Sequence, residues 1–158
     1  FETMGLLKDE NIIFKIAGSG ASLENPEIKA LFEQYQLDAE KVHLLDQISD
    51  MPAFYQSIDV FLMTSITEGF PNVLVEAMAS GLPCISTDVG DAQYIVQDLG
   101  AIVPSRNAQA LAEAILEYVQ KTEAEKHALK LATRERVEQN FSIETVSGQY
   151  IQVWSQQA

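Results

Sequence analysis

The chain has 158 residues, of which 47% are hydrophobic and 21% charged, a composition typical of one globular domain with a sizeable core. The net charge of −13 argues against nucleic acid as a partner, because that binding depends on lysine and arginine side chains that neutralise phosphates. No apolar run approaches the roughly 18 residues of a membrane span, and the first residues lack the pattern of a signal peptide, so we expect no direct membrane span.

Strand patterns and helix patterns alternate up to residue 104. The Ile-rich stretch NIIFKIAG predicts a buried strand over 11–18, and apolar residues at helical spacing predict a helix over 25–37, with Asn25 as its cap and Pro26 in its first turn. Strands are predicted over 41–46 and 59–65, on either side of a short helix over 49–58 that Ser49 caps.

A turn at Glu68–Pro71 separates the third strand from a helix over 72–80 that Gly81 ends. A strand over 83–87, a short helix over 91–97 and a strand over 101–104 follow. The remaining residues predict helices over 107–120, 122–141 and 142–156. We detect no repeat and no low-complexity linker, and so treat 1–158 as a single domain, with its carboxyl-terminal helices from about 123 to 158.

Alternation of strands and helices, with strands that are continuously apolar, predicts an α/β fold: a doubly wound parallel sheet covered by helices on both faces. Ligands of such sheets bind at the carboxyl ends of the strands. The segments that should carry function are therefore 18–22, 46–49, 67–72 and 88–91.

Two carboxylates stand out in those segments. Glu68 lies in the turn after the third strand, and Glu76 lies about one turn into a helix whose neighbouring residues are apolar or small. A carboxylate at Glu76 suits the two hydroxyls of a vicinal diol such as a ribose. The alternatives are an exposed glutamate that the helix dipole favours at position 76, and a solvated loop charge at position 68.

A helix that begins just after Gly69 offers free amide groups to a phosphate. From Val42 to Ser105, however, the chain has no lysine or arginine. If this surface binds an anion, either the amides must do much of the work or cations must come from elsewhere. The glycine-rich stretch AGSGAS at 17–22 has two interpretations. It fits either a backbone that a ligand approaches closely or a tight turn at the end of a strand.

The remaining chemistry-bearing side chains predict structural roles. Cys84, the single cysteine, excludes an internal disulfide, fits a reducing compartment and is expected to pack in a core strand. Two distant histidines and one cysteine make a poor zinc site, so no metal is predicted. Tyr150 and Trp154, four residues apart on the last helix, are expected to pack onto this domain or onto a partner.

The stretch EGFPNVLVEAMASGLPCIST closely resembles the E-x7-E signature of family four retaining glycosyltransferases of the GT-B architecture. The segments FKIAGSG, VHLLDQIS, SIDVFLMTS and GAIVPSRNAQALAEAI resemble, in order, the rest of that family's carboxyl-terminal domain. The resemblance covers roughly residues 1–120 and a closing helix. It implies the Rossmann-like, donor-binding half of a two-domain enzyme, with the amino-terminal acceptor domain absent from this chain.

The resemblance implies roles for matching residues. Glu68 would be the catalytic carboxylate that bonds hydroxyls of the donor sugar, and Glu76 would hold the ribose hydroxyls. The amides of Gly69, Phe70 and Pro71 would line the sugar and the distal phosphate. The diphosphate would be held by the helix amides of Asn72, Val73 and Leu74.

Two further pairs match the family's nucleobase region. Ile48 and Ser49 match the loop that contacts the base, and Gly18 and Gly20 match the glycine turn beside it. Asp46 departs from the pattern, because glycine is usual there. The family's Arg and Lys clamp on the diphosphate has no match in this chain.

The implied activity is the retaining transfer of a hexose from a UDP- or GDP-sugar to a glycan or glycolipid, as in surface polysaccharide biosynthesis. Neither cofactor nor metal is implied, and catalysis would be electrostatic. We expect a cytoplasmic enzyme that is peripheral at the inner membrane face through its other domain, and inactivity of this domain alone. The alternative is a non-catalytic doubly wound module that binds a partner or a nucleotide; a nucleotide-sugar epimerase is disfavoured by the ordered motifs.

Overall fold

A computed structural model describes residues 1–155, in which short strands alternate with helices. The strands are β1 (Phe14–Ile16), β2 (Val42–Leu44), β3 (Phe61–Met63), β4 (Cys84–Thr87) and β5 (Ala101–Val103). The helices are α1 (Glu2–Leu6), α2 (Pro26–Tyr35), α3 (Met51–Gln56), α4 (Asn72–Ala79), α5 (Ala92–Val96), α6 (Ala108–Gln120), α7 (Glu123–Asn140) and α8 (Ile143–Ser155). Over that range, no helix combines the length and apolarity needed to cross a bilayer.

Every strand pairing of the described chain is parallel, as predicted. Their hydrogen bonds group the strands into β1–β2 and β3–β4–β5. β4 is the middle strand of the larger group, and all four of its residues are buried. Parallel strands covered on both faces read as continuous apolar runs, which is why the sequence pattern identified this class.

Two hydrophobic cores lie on opposite sides of the strands. Because successive strand residues point to opposite faces, Cys84 and Ile85 of β4 enter different cores. The Cys84 core is completed by α3, α4, α5 and Val137 of α7, and the Ile85 core by α1, α2 and α6. The doubly wound α/β prediction is therefore confirmed, as is the core position of Cys84, which has no exposed surface.

Side-chain caps fix where several helices begin. Asn25 Oδ1 accepts the amide of Glu27 at 3.0 Å, and Pro26 occupies the first turn of α2, as predicted. The predicted cap Ser49 is wrong. α3 begins two residues later, because Asp50 Oδ1 accepts the amide of Ala53 at 3.0 Å.

The last helix does not pack into either core. None of the described residues of α8 is buried, and the remainder of the predicted helix, residue 156, lies outside the described residues. Tyr150 and Trp154 are 61% and 71% exposed, and their rings lie 6.4 Å apart. Of the two predicted alternatives, packing of this pair onto the domain is wrong, because both rings are exposed and contact each other. Packing onto a partner stays a prediction.

A methyl group at Gly100 should destabilise the fold, because it would lie 1.9 Å from the Cys84 carbonyl oxygen and 2.8 Å from Val96 Cγ1. We expect Gly100→Ala to lower the free energy of unfolding by about 1–3 kcal/mol, measured by urea denaturation. Gly148→Ala is the control, since a methyl there meets no atom within 4 Å inside α8 and should stabilise the helix by about 0.5–1 kcal/mol. Equal stability of both variants would contradict the packing at Gly100.

Candidate functional site

The Glu68 carboxylate is held at the carboxyl edge of β3 and β4. Ser65 Oγ donates a hydrogen bond to Glu68 Oε1 at 2.7 Å, and Thr87 Oγ1 donates to the Ser65 carbonyl at 2.6 Å. Glu68 itself is exposed. The side chain is therefore oriented by the ends of two neighbouring strands while its second oxygen remains open to a ligand.

The backbone beside Glu68 is fixed by the loop after β4. The amide of Asp91 donates to the Gly69 carbonyl at 2.9 Å, and Gly90 has a φ of +50° at this contact. A Cβ on Gly90 would lie 2.0 Å from the Gly69 oxygen. The two loops can approach this closely because residue 90 lacks a side chain.

The start of α4 presents free amide groups next to this loop. Pro71 precedes the helix and makes no side-chain cap, and the Leu74 amide is already used in a bond to the Pro71 carbonyl at 3.0 Å. Within residues 1–155, the amides of Asn72 and Val73 donate no hydrogen bond. They lie at the positive end of the helix dipole, where an anion is stabilised.

Among the predicted amide donors, Pro71 and Leu74 differ from the rest. Proline has no N–H group, and the Pro71 ring is buried, so this residue shapes the turn and donates nothing. The Leu74 side chain is also fully buried. The amides that remain as candidate donors are therefore those of Gly69 and Phe70 and of the first two residues of α4.

Glu76 lies on an exposed face of α4, which the run of apolar neighbours had hidden in the sequence. Leu74, Ala77 and Met78 take the buried face, with no exposed surface, whereas Glu76 is exposed. Its Oε2 accepts a hydrogen bond from Tyr55 Oη at 3.1 Å. The carboxylate is therefore neither buried nor free to rotate, and it faces solvent beside a fixed donor.

Tyr55 is a site residue that the sequence did not reveal. It lies on α3, it is 3% exposed, and it precedes Glu76 by 21 residues. Burial and the bond to Glu76 raise the pKa of Tyr55 well above its usual value, so the hydroxyl stays protonated and remains a donor. No motif spacing connects the two positions, because α3 and α4 meet only through tertiary packing.

The glycine turn at 18–20 and the loop that follows β2 meet at Asp46. The Gly18 amide donates to the Asp46 carbonyl at 2.7 Å, and the Gly20 amide donates to Asp46 Oδ1 at 2.8 Å. Asp46 has a φ of +50°, in the left-handed region that glycine prefers and aspartate tolerates. Ile48 packs half-buried on the core that contains Tyr55, and Ser49 is exposed.

Cations are scarce around these loops in the folded chain too. Arg136 of α7 reaches α5, where its Nε donates to the Ile95 carbonyl at 2.7 Å and its Nη2 donates to the Tyr94 carbonyl. The ion pairs of the described chain lie on the surfaces of α6 and α7. Within the same residues, no cluster of His, Cys, Asp and Glu is able to hold a metal.

A polar depression of about 170 Å³ lies at the other end of β3 from the predicted site. Asp59 precedes that strand and Glu68 follows it, so the depression and the loop lie at opposite edges. Its lining is contributed by Asp59, Tyr118, Glu123, Lys126, His127 and Lys130. The Glu68–Glu76 surface is thus separate from it and open.

Comparison with known proteins decides the family. Residues 1–121 match the sequence profile described as "Glycosyl transferases group 1". The chain belongs to this family. The curated protein named "Putative colanic acid biosynthesis glycosyltransferase WcaL", from Escherichia coli, is 31% identical over 150 residues, which are 89% of this chain and 37% of the relative.

Solved structures give the same fold. Sucrose-phosphate synthase from Thermosynechococcus elongatus is 30% identical, with a TM-score of 0.82 over 98% of this chain and 41% of that one. Anabaena HepE, solved in complex with UDP and with UDP-glucose, is 21–22% identical, with TM-scores of 0.82–0.85 over 98% of this chain and 43–44% of those chains. The group 1 chain is thus a Rossmann-like half of the GT-B architecture, a carboxyl-terminal domain. It spans less than half the length of these relatives.

The contact between Gly90 and Gly69 can be tested from both sides. Gly90→Ala places a methyl 2.0 Å from a backbone oxygen, whereas Gly69→Ala places one where no atom lies within 4 Å. We expect Gly90→Ala to lower the unfolding free energy by about 1–3 kcal/mol and to accelerate amide exchange at Asp91. Gly69→Ala should stay within about 0.5 kcal/mol of the parent chain. Equal effects of the two changes would contradict this geometry.

Proposed function

We propose that this chain is the donor-binding domain of a retaining glycosyltransferase and binds a nucleoside diphosphate sugar along the edge formed by the β3–α4 loop. The observation that carries the proposal is the order of groups along that loop and helix. Glu68 is oriented by Ser65, and Glu76 is oriented by Tyr55. Between them, the Asn72 and Val73 amides donate no hydrogen bond to any residue from 1 to 155. Two fixed carboxylates with an anion-binding helix start between them suit a ligand with a diphosphate between two sugars.

Each part of such a donor has a partner of suitable chemistry. Glu68 would accept hydroxyls of the transferred sugar, and Glu76 would accept the two hydroxyls of the ribose. The diphosphate would lie at the start of α4, against the amides of Gly69, Phe70, Asn72 and Val73. Ile48 and Ser49 would contact the base, beside the turn that Gly18 and Gly20 form with Asp46.

Catalysis in this proposal is electrostatic. The dipole of α4 and the free amides would stabilise negative charge on the departing diphosphate, and Glu68 would orient the sugar. The diphosphate carries more charge than these amides neutralise, and no lysine or arginine lies between Val42 and Ser105. We therefore expect cations from another part of the full-length protein to complete the site, and this domain alone to be inactive.

The names of similar proteins support a setting for the reaction. WcaL is named for colanic acid biosynthesis, and HepE was solved with UDP-glucose. These names support a UDP-sugar as donor, a hexose as the transferred group, and a glycan or glycolipid acceptor in polysaccharide biosynthesis. We place the enzyme in the cytoplasm, with the acceptor bound through the part of the protein outside this chain and the membrane approached from the inner face. We propose neither a cofactor nor a metal.

Donor binding is measured by ligand-observed NMR of the chain with UDP-glucose and with GDP- and ADP-sugars. We expect millimolar binding of one nucleotide class, and at least a tenfold loss in Glu76→Ala, because removing a carboxylate that bonds a diol costs about 1.5–3 kcal/mol. Glu33→Ala is the matched control, since Glu33 is an exposed glutamate of α2. Equal binding by all three chains would reject the site, and absence of binding would favour a non-catalytic module.

Removing the Tyr55 hydroxyl should weaken the same interaction without removing the carboxylate. We expect Tyr55→Phe to reduce nucleotide affinity about 2- to 12-fold, the value of one hydrogen bond, because Glu76 then samples more orientations. The buried ring is retained, so the fold and the far-UV circular dichroism should stay close to those of the parent chain. Unchanged affinity would show that Glu76 does not depend on this donor.

A further inference from the structure

The Phe70 ring, in the loop between β3 and α4, packs against the carboxyl-terminal end of α7. It is 43% exposed, and its centroid lies 6.0 Å from that of Phe141, which ends α7. The Phe141 ring in turn lies 5.8 Å from the ring of Tyr94 on α5, at an interplanar angle of 89°. Both contacts are edge-to-face arrangements, in which the positive edge of one ring meets the negative face of the other.

Arg136, five residues before Phe141, contacts two of these rings. Its Cζ lies 5.7 Å from the centre of the Tyr94 ring and 5.5 Å from that of Phe141. The same guanidinium donates to the carbonyls of Tyr94 and Ile95. Both are among the last carbonyls of α5, which no intrahelical amide can reach, so α5 is fastened to α7 by groups that would otherwise lack partners.

The opposite end of α5 holds the Glu68–Phe70 loop. Asp91 precedes the helix, and its amide donates to the Gly69 carbonyl at 2.9 Å. The loop is thus connected to α7 by two routes: directly through the Phe70–Phe141 contact, and through Asp91, α5 and Arg136.

We propose that Phe141 and Arg136 are positioning residues for the donor-sugar loop. They touch no reacting group. They fix the loop that carries Glu68 by fastening Phe70 and α5 to the end of α7, where the chain turns into α8. This inference rests on the proposed function for the role of Glu68, whereas the attachment itself does not depend on any ligand.

The attachment is tested first without a ligand, in the 158-residue chain. Phe141→Leu keeps an apolar side chain but removes the ring. We expect amide exchange at Asp91 to accelerate about 2- to 12-fold, the value of an aromatic pair, and the order parameters of the Gly69 and Phe70 amides to fall. Phe141→Tyr keeps the ring and should restore both values. The matched control is Leu131→Ala, an exposed position on α7.

Two outcomes of this experiment would overturn the proposal. Unchanged exchange at Asp91 in Phe141→Leu would show that the ring does not hold the loop. An equal acceleration at Val137 would show that the ring stabilises α7 alone. Arg136→Lys supplies a second variant, because lysine keeps the charge but lacks the planar guanidinium that donates to two carbonyls. It should also accelerate amide exchange at Asp91.

Binding measurements separate positioning from a general loss of structure. Phe141→Leu should reduce the affinity for UDP-glucose about 2- to 12-fold more than the affinity for UDP. The reason is that the glucose would contact Glu68 in the loop, whereas the ribose, which both ligands carry, would contact Glu76 on α4. An equal loss for both ligands would overturn a role specific to the sugar loop. If the parent chain binds neither ligand, the proposed function fails, while the exchange experiment still decides whether Phe141 holds the loop.

Discussion

The hydrogen bond between the Asp91 amide and the Gly69 carbonyl is the constraint on which the candidate site depends. It joins the loops that leave β3 and β4, and it forms because Gly90 has no side chain to separate the two backbones. The parallel arrangement makes it possible, since neighbouring parallel strands end at the same edge. With the loop fixed there, Glu68 and the start of α4 acquire defined positions.

Around this bond, the molecule arranges fixed carboxylates and neutral donors, with few cations. Ser65 orients Glu68, and Tyr55 orients Glu76. Each carboxylate would therefore lose less side-chain conformational entropy on binding a ligand. The helix start between them has amides without partners in the described chain. In the proposed function, this arrangement would bind sugar hydroxyls and would neutralise a diphosphate only in part. The chain spans less than half the length of its relatives.

Sequence patterns identified the fold class because it depends on local properties. Continuous apolar runs, caps such as Asn25 and terminators such as Gly81 lie within a few residues of the elements they define. The errors were equally local. Ser49 and Asp50 are both good caps, and which of them begins α3 is decided by where the backbone turns. The spacing of Tyr150 and Trp154 suggested a face packed on this domain, although the described residues of α8 lie outside both cores.

By itself, the sequence determined the parallel α/β architecture and the family signature and pointed to two candidate carboxylates, because these depend on residue type and short spacing. Only the tertiary structure decided what holds them. Tyr55 meets Glu76 across two helices, Asp91 meets Gly69 across two loops, and Phe141 meets Phe70 across 71 positions of the chain. Such contacts join residues far apart in the sequence, and their geometry is set by the packing of whole elements, which no local pattern encodes.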